Sequence, residues 1–339
     1  MNRGLENGII LGSSKGLYQG MHSGLQGSII PNKWNMLDPT TITDPKIKPV
    51  FYINGDNVTS TLGVISSAQN LIYKTSNELL TTVENIFDQT TTSYKPILVK
   101  NNLGGKNIID FTGGANSKSL FSSVAIGTYI YANTSPQISG TGMTYIFVIK
   151  RQPGATRTIL DGRDSSFSST VNDLTLEVNN AGAITFDYKG GSGGSITSFI
   201  GTAGVNLLND WSILTVKAQL RNDGGFIGTD GSAIGASPVT KRYIAPINAR
   251  IGSLSPLDVY VNGKEQYKNM TTNTFTNADY FNDSSFRMFN RDIIIGNKAS
   301  GFNTSGTYIA SALMIPAYIS NAVQTKIENY FRFYYNRPF

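Results

Sequence analysis

From residue 50 onward, apolar residues either alternate with polar ones or gather in short runs, the pattern of half-buried and fully buried strands. The runs are Val50–Ile53, Ile108–Phe111, Tyr145–Ile149, Leu174–Val178, Ile184–Tyr188, Ser212–Ala218, Val259–Val261 and Ile293–Ile295. Clusters of Gly, Asn, Asp and Ser separate them, among them Asn180-Ala181-Gly182, Gly190–Gly194 and Asn262-Gly263. Asn262-Gly263 predicts a hairpin between Val259–Val261 and Gln266-Tyr267, because a type I′ turn needs positive φ at both central positions. Many strands at this spacing predict a β-sandwich or jelly roll. Two segments carry a helical period instead. Asn77–Phe87 aligns Leu79, Leu80, Val83 and Phe87. Ser320–Tyr335 aligns Val323, Ile327, Tyr330, Phe331 and Tyr334 behind Ser320 as N-cap, and this helix is expected to cover the core.

The first 30 residues follow another rule. Glycine recurs at Gly4, Gly8, Gly12, Gly16, Gly20 and Gly24, and an apolar residue follows it at Leu5, Ile9, Leu17, Met21 and Leu25. On a helix a four-residue period drifts by about 40° per repeat, and each interior glycine costs about 1 kcal/mol. An even period suits an extended chain, whose apolar followers share one side. Residues this small cannot build their own core, so the segment is expected to be an assembly anchor ordered by partner chains, with a loose tail as the alternative. Residues 31–49 carry Pro31, Pro39, Pro45 and Pro49 and predict a stiff connector, with Trp34 and Met36 available to dock on a neighbour. The chain therefore divides into an anchor (1–30), a linker (31–49) and a domain (50–339).

Composition narrows the chemistry. The 339 residues include no cysteine and one histidine, His22. That removes disulfide frameworks, thiolate nucleophiles, zinc ribbons and any site needing two imidazoles. It also removes a Ser-His-Asp triad unless His22 is its base, and His22 sits among the tetrads with no evident partner. A hydrophobic share of 40% is too high for a disordered chain. The net charge of +6 is spread thinly, no basic run exceeding the pairs Lys150-Arg151 and Lys241-Arg242. These read as solvated surface charges, and no nucleic-acid partner is expected. Residues 1–30 lack the apolar stretch of a signal peptide. The longest apolar run, Ile309–Ile319, is broken by Ser311 and Pro316 and falls short of the roughly 20 residues of a membrane helix. No membrane span is expected, and the product is expected to be made in the cytoplasm and to leave by lysis or in a particle.

Several passages then follow one another in a telling order. Lys95-Pro96-Ile97-Leu98-Val99 precedes Gly104-Gly105-Lys106-Asn107-Ile108-Ile109-Asp110-Phe111-Thr112-Gly113. Met143–Lys150, the ILDGRDSS passage at 159–166, a Trp-led strand from Asp210-Trp211, VYVNGK at 259–264 and an Ile-Gly strand at 293–296 come next. The series closes on a last strand and helix. It resembles the concanavalin A-like lectin/glucanase superfamily, nearest to the laminin-G-like jelly rolls of bacterial and phage surface proteins. The resemblance implies a mainly β, concanavalin A-like jelly-roll sandwich with a C-terminal helix, preceded here by an extended Gly-repeat tail. That tail with its proline linker looks like the N-terminal anchor of a bacteriophage virion protein. The expectation that follows is a virion structural protein, a tail fibre or appendage, bound through residues 1–49 to other virion proteins and to copies of itself. The displayed domain would take host surface glycans. A stand-alone carbohydrate-binding module and a glycan-cleaving enzyme are the alternatives.

Catalysis finds little support. Glucanases of the resembling superfamily carry Glu-x-Asp-x-x-Glu on one strand, and this chain has no Glu-x-Asp anywhere. Asp173 and Glu177, four apart on a strand, would stand about 13 Å apart. Retaining and inverting glycosidases need about 5–5.5 and 6.5–9.5 Å. No enzyme activity is expected. For glycan contact the candidates are Asp161, Arg163 and Asp164, in a passage read as a turn near Asn172-Asp173, and Tyr188 as a stacking residue. The same oxygens could serve calcium, but Arg163 opposes a cation and Asp-Gly is ordinary turn chemistry, so no cofactor is expected. Trp211, opening an inner strand, reads as core, and Gly190–Gly194 reads as a hairpin tip.

Overall fold

The computed structural model describes residues 35–44, 47–72, 86–113, 118–122, 142–163, 172–190, 195–201, 208–219, 257–266, 292–297, 304–315 and 319–339, with short pieces at 222–224, 226–227, 233–234, 241–242, 268–269 and 317. The glycine tetrads, residues 77–85 of the first expected helix, residues 191–194 of the glycine loop and Asp164 lie outside the described residues.

In chain order the strands are β1 (Phe51–Asn54), β2 (Val58–Thr61), β3 (Val64–Gln69), β4 (Ile86–Asp88), β5 (Ile97–Leu103), β6 (Lys106–Asp110) and β7 (Leu120–Ser122). Then come β8 (Gly142–Arg151), β9 (Arg157–Arg163), β10 (Asn172–Val178), β11 (Ile184–Gly190), β12 (Ser195–Gly201) and β13 (Ser212–Gln219). Two small ribbons pair β14 (Asn222–Gly224) with β17 (Lys241–Arg242) and β15 (Phe226–Ile227) with β16 (Ala233–Ile234). The chain closes with β18 (Leu257–Val261), β19 (Lys264–Glu265), β20 (Lys268–Asn269), β21 (Asp292–Ile295), β22 (Thr307–Ile315) and helix α1 (Asn321–Tyr334).

Among the described residues all pairings are antiparallel, and apart from the two ribbons the strands fall into two layers. In the first, β18, β13, β8 and β22 lie side by side, and β22 is flanked beyond by β1 and β6. In the second, β2, β3, β4, β7, β21, β9, β10, β11, β12 and β20 follow in that order. The β5–β6 hairpin joins the layers through Val64 opposite Ile97. This is a jelly-roll β-sandwich with one C-terminal helix.

The apolar run Tyr145–Ile149 shows why the pattern was continuous rather than alternating. Tyr145, Phe147 and Ile149 fill the core between the sheets, with Phe51, Ile53, Leu160, Leu176, Leu214 and Ile295. Ile146 and Val148 face the other way, into a second core under α1 with Ile213, Leu313, Ile327 and Phe331. A strand buried on both faces needs no polar positions. Trp211 belongs to the second core, as expected. Asn262-Gly263 also behaves as expected, with φ of 54° and 79°, although its return strand starts at once, Val261 opposite Lys264 and Tyr260 opposite Glu265.

Helix α1 starts where Ser320 accepts a hydrogen bond from the Val323 amide at 3.3 Å. Its buried face holds Ile327 and Phe331, and also Gln324 and Glu328. Glu328 Oε1 accepts from Thr215 Oγ1 at 2.9 Å and from Gln324 Nε2 at 2.8 Å, while its Oε2 meets Arg332 at 3.3 Å. A buried charge is tolerated when it is this fully bonded.

Two expectations change. Ile86 and Phe87, the last turn of the first expected helix, form β4, and Phe87 packs in the sandwich core edge-on to Phe51 at 5.1 Å. Pairing with β3 overrides a period that three apolar neighbours happened to match. Residues 35–49 are not a free connector either. Leu37 and Ile47 pack against the second core and Ile42 is buried in it, while the Leu37 amide donates to the Lys326 carbonyl at 3.0 Å.

Candidate functional site

Of the predicted glycan contacts, Asp161 and Arg163 lie on β9 and Tyr188 on β11, with β10 between them. Gly162, Leu174 and Tyr188 form one row across β9, β10 and β11, and Asp161, Thr175 and Asp187 form the next. Arg163 stands opposite Asn172 on one side and Asp292 on the other. Asp161 and Arg163 thus alternate onto one face of β9, whereas Tyr188 stands in the alternate row, the one that follows the core row of Leu160 and Leu176, so the three do not share a face; the side chains of Arg163 and Tyr188 lie outside the described residues.

Asp161 itself corrects the sequence reading. Asp161-Gly162-Arg163 is strand, not turn, and Asp161 is 0% exposed. Its Oδ1 accepts a hydrogen bond from Thr175 Oγ1 at 3.1 Å. The cause is a bulge. The register of β9 against β10 shifts between Leu176, opposite Leu160, and Glu177, opposite Thr158. Ile159 and Leu160 consequently both enter the sandwich core, and Thr158 and Asp161 emerge on the outer face. There Thr158 Oγ1 donates to Glu177 Oε1 at 2.8 Å. Two buried carboxylates thus lie on one face of β9 and β10, each held by a threonine of the adjoining strand. Such carboxylates lock a sheet face. An Asp161 this deep presents no oxygen to a ligand at the surface.

Composition gave no sign of the second feature, which lies where β8 ends and β9 begins. Arg151 was read as a solvated charge, yet it is 1% exposed. Its Nε donates to Asn209 Oδ1 at 2.7 Å and its Nη1 to the carbonyls of Asn179 and Asn180 at 2.8 and 3.4 Å. Burial, with the charge of Arg157 adding, pulls its guanidinium below the usual arginine range. Arg157 crosses over Gly306, where any Cβ would strike the guanidinium, and donates to the carbonyls of Gln152 at 3.2 Å and Ser305 at 2.7 Å. The clue in the sequence was position alone: Arg151 ends an apolar strand on the same alternation as Tyr145, Phe147 and Ile149.

Among the described residues no group of three or more His, Cys, Asp or Glu could hold a metal ion, and no helix is long and apolar enough to cross a membrane.

No family model and no curated protein matches the chain. Solved structures do. The receptor-binding domain of botulinum neurotoxin type G is similar at 8% identity and a TM-score of 0.39, over 84% of this chain and 51% of that one. A structure of botulinum neurotoxin type C, described as dependent on two ganglioside molecules for cell entry, is similar at 11% identity and a TM-score of 0.41, over 74% and 50%. Trypanosoma rangeli sialidase is similar at 12% and 0.39, over 83% and 32%. The chain thus spans about half the length of the toxin domains and a third of the sialidase. Likeness at this distance transfers no ligand or activity.

Proposed function

We propose that this protein is a bacteriophage virion component, anchored by its glycine-tetrad tail and displaying a concanavalin A-like jelly roll to glycans of the host surface. The observation that carries the reading is where the tail joins the domain. Asn35 to Ile47 lies along α1, with Asn329 Nδ2 donating to the Asn35 carbonyl at 3.2 Å and Leu37 packed against the second core. The described chain therefore begins on the helix side, and the sheet carrying β9 to β12 lies on the opposite side of the sandwich. A domain attached by its helix layer and presenting its far sheet and loops suits an appendage. The expected absence of catalysis is part of the proposal, supported by the in-sheet bonding of Asp161 and Glu177.

Deleting residues 1–30 is expected to leave a folded domain that no longer enters the particle. Normal incorporation would remove the anchor role. An array of bacterial surface glycans probed with the full chain tests display. If nothing binds, the role is architectural.

A further inference from the structure

The loop end of the sandwich holds two positive charges and, among the described residues, no negative group that answers them. Each guanidinium carries five N–H donors. Arg151 uses Nε and Nη1, Arg157 likewise, and every acceptor is a neutral amide or carbonyl oxygen. Neither meets a carboxylate among the described residues. Two acids border these loops in sequence, and both are engaged elsewhere: Glu177 accepts from Thr158, and Asp210 pairs with Arg337 at 3.2 Å. A buried charge is ordinarily paired, and two adjacent like charges raise the cost further.

A third polar group shares the place. Thr307 stands opposite Arg151 in the ladder, on the same face, and its Oγ1 is buried without a hydrogen-bond partner. The arginines differ in access: Arg151 is enclosed, while Arg157 is half-buried and open to solvent. Carbonyls alone could be served by a lysine or an amide. Two forked cations close enough for the charge of one to act on the other, with Nη2 of each unused among the described residues, form instead the usual receptor for an oxyanion.

We propose that Arg157, backed by the field of Arg151, binds a compact oxyanion at the loop end. On the glycan-display reading, on which this identification of the ligand rests, the anion is the charged group of an acidic surface sugar. Carboxylate, sulfate ester and phosphate ester share the needed chemistry. Arg157 contacts the anion, and Arg151 strengthens the contact from a site where water cannot screen it.

The test uses the full chain. Sodium sulfate is titrated while the arginine Nε–H resonances are followed. The Arg157 signal is expected to shift and saturate, and its failure to move overturns the site whatever the protein does with sugars. Binding is then measured for an oligosaccharide ending in a uronic acid, for its counterpart with the carboxyl reduced to an alcohol, and for sulfated and phosphorylated versions. At least one charged form is expected to bind tenfold or more tighter than the neutral one, and which form wins identifies the source. Arg157→Gln is expected to erase that difference and leave the weak neutral binding in place. Arg157→Lys, which keeps charge without the fork, should retain part of it. Equal affinity for charged and neutral sugars overturns the acidic ligand. A sulfate shift with no oligosaccharide bound leaves the anion site standing and overturns glycan display.

Discussion

The Tyr335 hydroxyl donates to the carbonyl of Ala310 at 2.8 Å, and Ser311 Oγ lies 2.6 Å from that Tyr335 hydroxyl oxygen. Ala310 is the extra residue of a bulge in β22, where the register against β8 shifts between Ile309 and Ser311. The bulge lets Ile309 and Ala312 serve the sandwich core while Ala310 and Leu313 serve the helix core. The end of α1 thus locks the irregularity that lets β22 pack on both faces. Tyr335→Phe keeps the ring and removes the bonds, and is expected to cost about 1–2 kcal/mol. A lower denaturation midpoint at unchanged slope would be the signature. An unchanged midpoint would mean the bulge holds without the helix.

Burial raises the pKa of Tyr52, Tyr145, Tyr330, Tyr334 and Tyr335 above the ordinary phenol value of 10.0. Between that value and the higher folded-state values, the unfolded chain has released these protons and the folded one keeps them. Stability is therefore full below about pH 10 and falls as pH rises beyond it, by about 1.4 kcal/mol per unit for each fully buried tyrosine. Tyr52, Tyr145 and Tyr335 qualify, being no more than 1% exposed. Phenolate absorbance should rise in two stages, exposed rings first and the buried group only with unfolding. A single smooth titration would contradict the burial.

Leu62 stands alone at the tip of the β2–β3 hairpin, 100% exposed and with a φ of 51°. Gly63 follows at 80°, so the pair forms a turn of the kind that Asn262-Gly263 makes with suitable residues. Leucine in the left-handed region is strained, and asparagine is much less so. Leu62→Asn is expected to stabilise the isolated protein by about 0.5–1 kcal/mol, read as a higher midpoint in denaturant. A loss of stability would show that Leu62 packs on something.

That pair of turns shows what the sequence could and could not disclose. Asn262-Gly263 was legible because its residues match its geometry, and α1 was legible down to Ser320 because period and cap agreed. Leu62-Gly63 was not, since neighbouring strands impose a turn that its first residue resists. Phe87 fitted a helical period by coincidence and was claimed by β3. Asp161-Gly162 carried turn composition, and only the bulge at Ile159 shows why an aspartate belongs inside a strand there. Arg151 and Arg157 were invisible as a pair, because nothing local joins them. What joins them is the convergence of loops from β8, β10, β12 and β21, and convergence is a property of topology.

The boundary between tail and domain gives the last prediction. Cutting before Pro49 would be safe if residues 31–49 were a linker. The structure instead has Ile42 6% exposed, Leu37 and Ile47 packed against the helix core, and Asp38 capping a short turn by accepting from Thr40 N at 2.9 Å. Three apolar side chains, two of them half-buried, contribute about 3 kcal/mol or more when burial is worth about 1.5–3 kcal/mol for a whole aliphatic side chain. A chain lacking residues 1–34 is expected to unfold at the same denaturant concentration as the full protein. A chain lacking residues 1–49 is expected to unfold distinctly earlier and to expose the flank of α1, which a hydrophobic dye would detect. Equal midpoints for the two truncations would return residues 35–49 to the linker. Early unfolding of both would place part of the tail, too, in the fold.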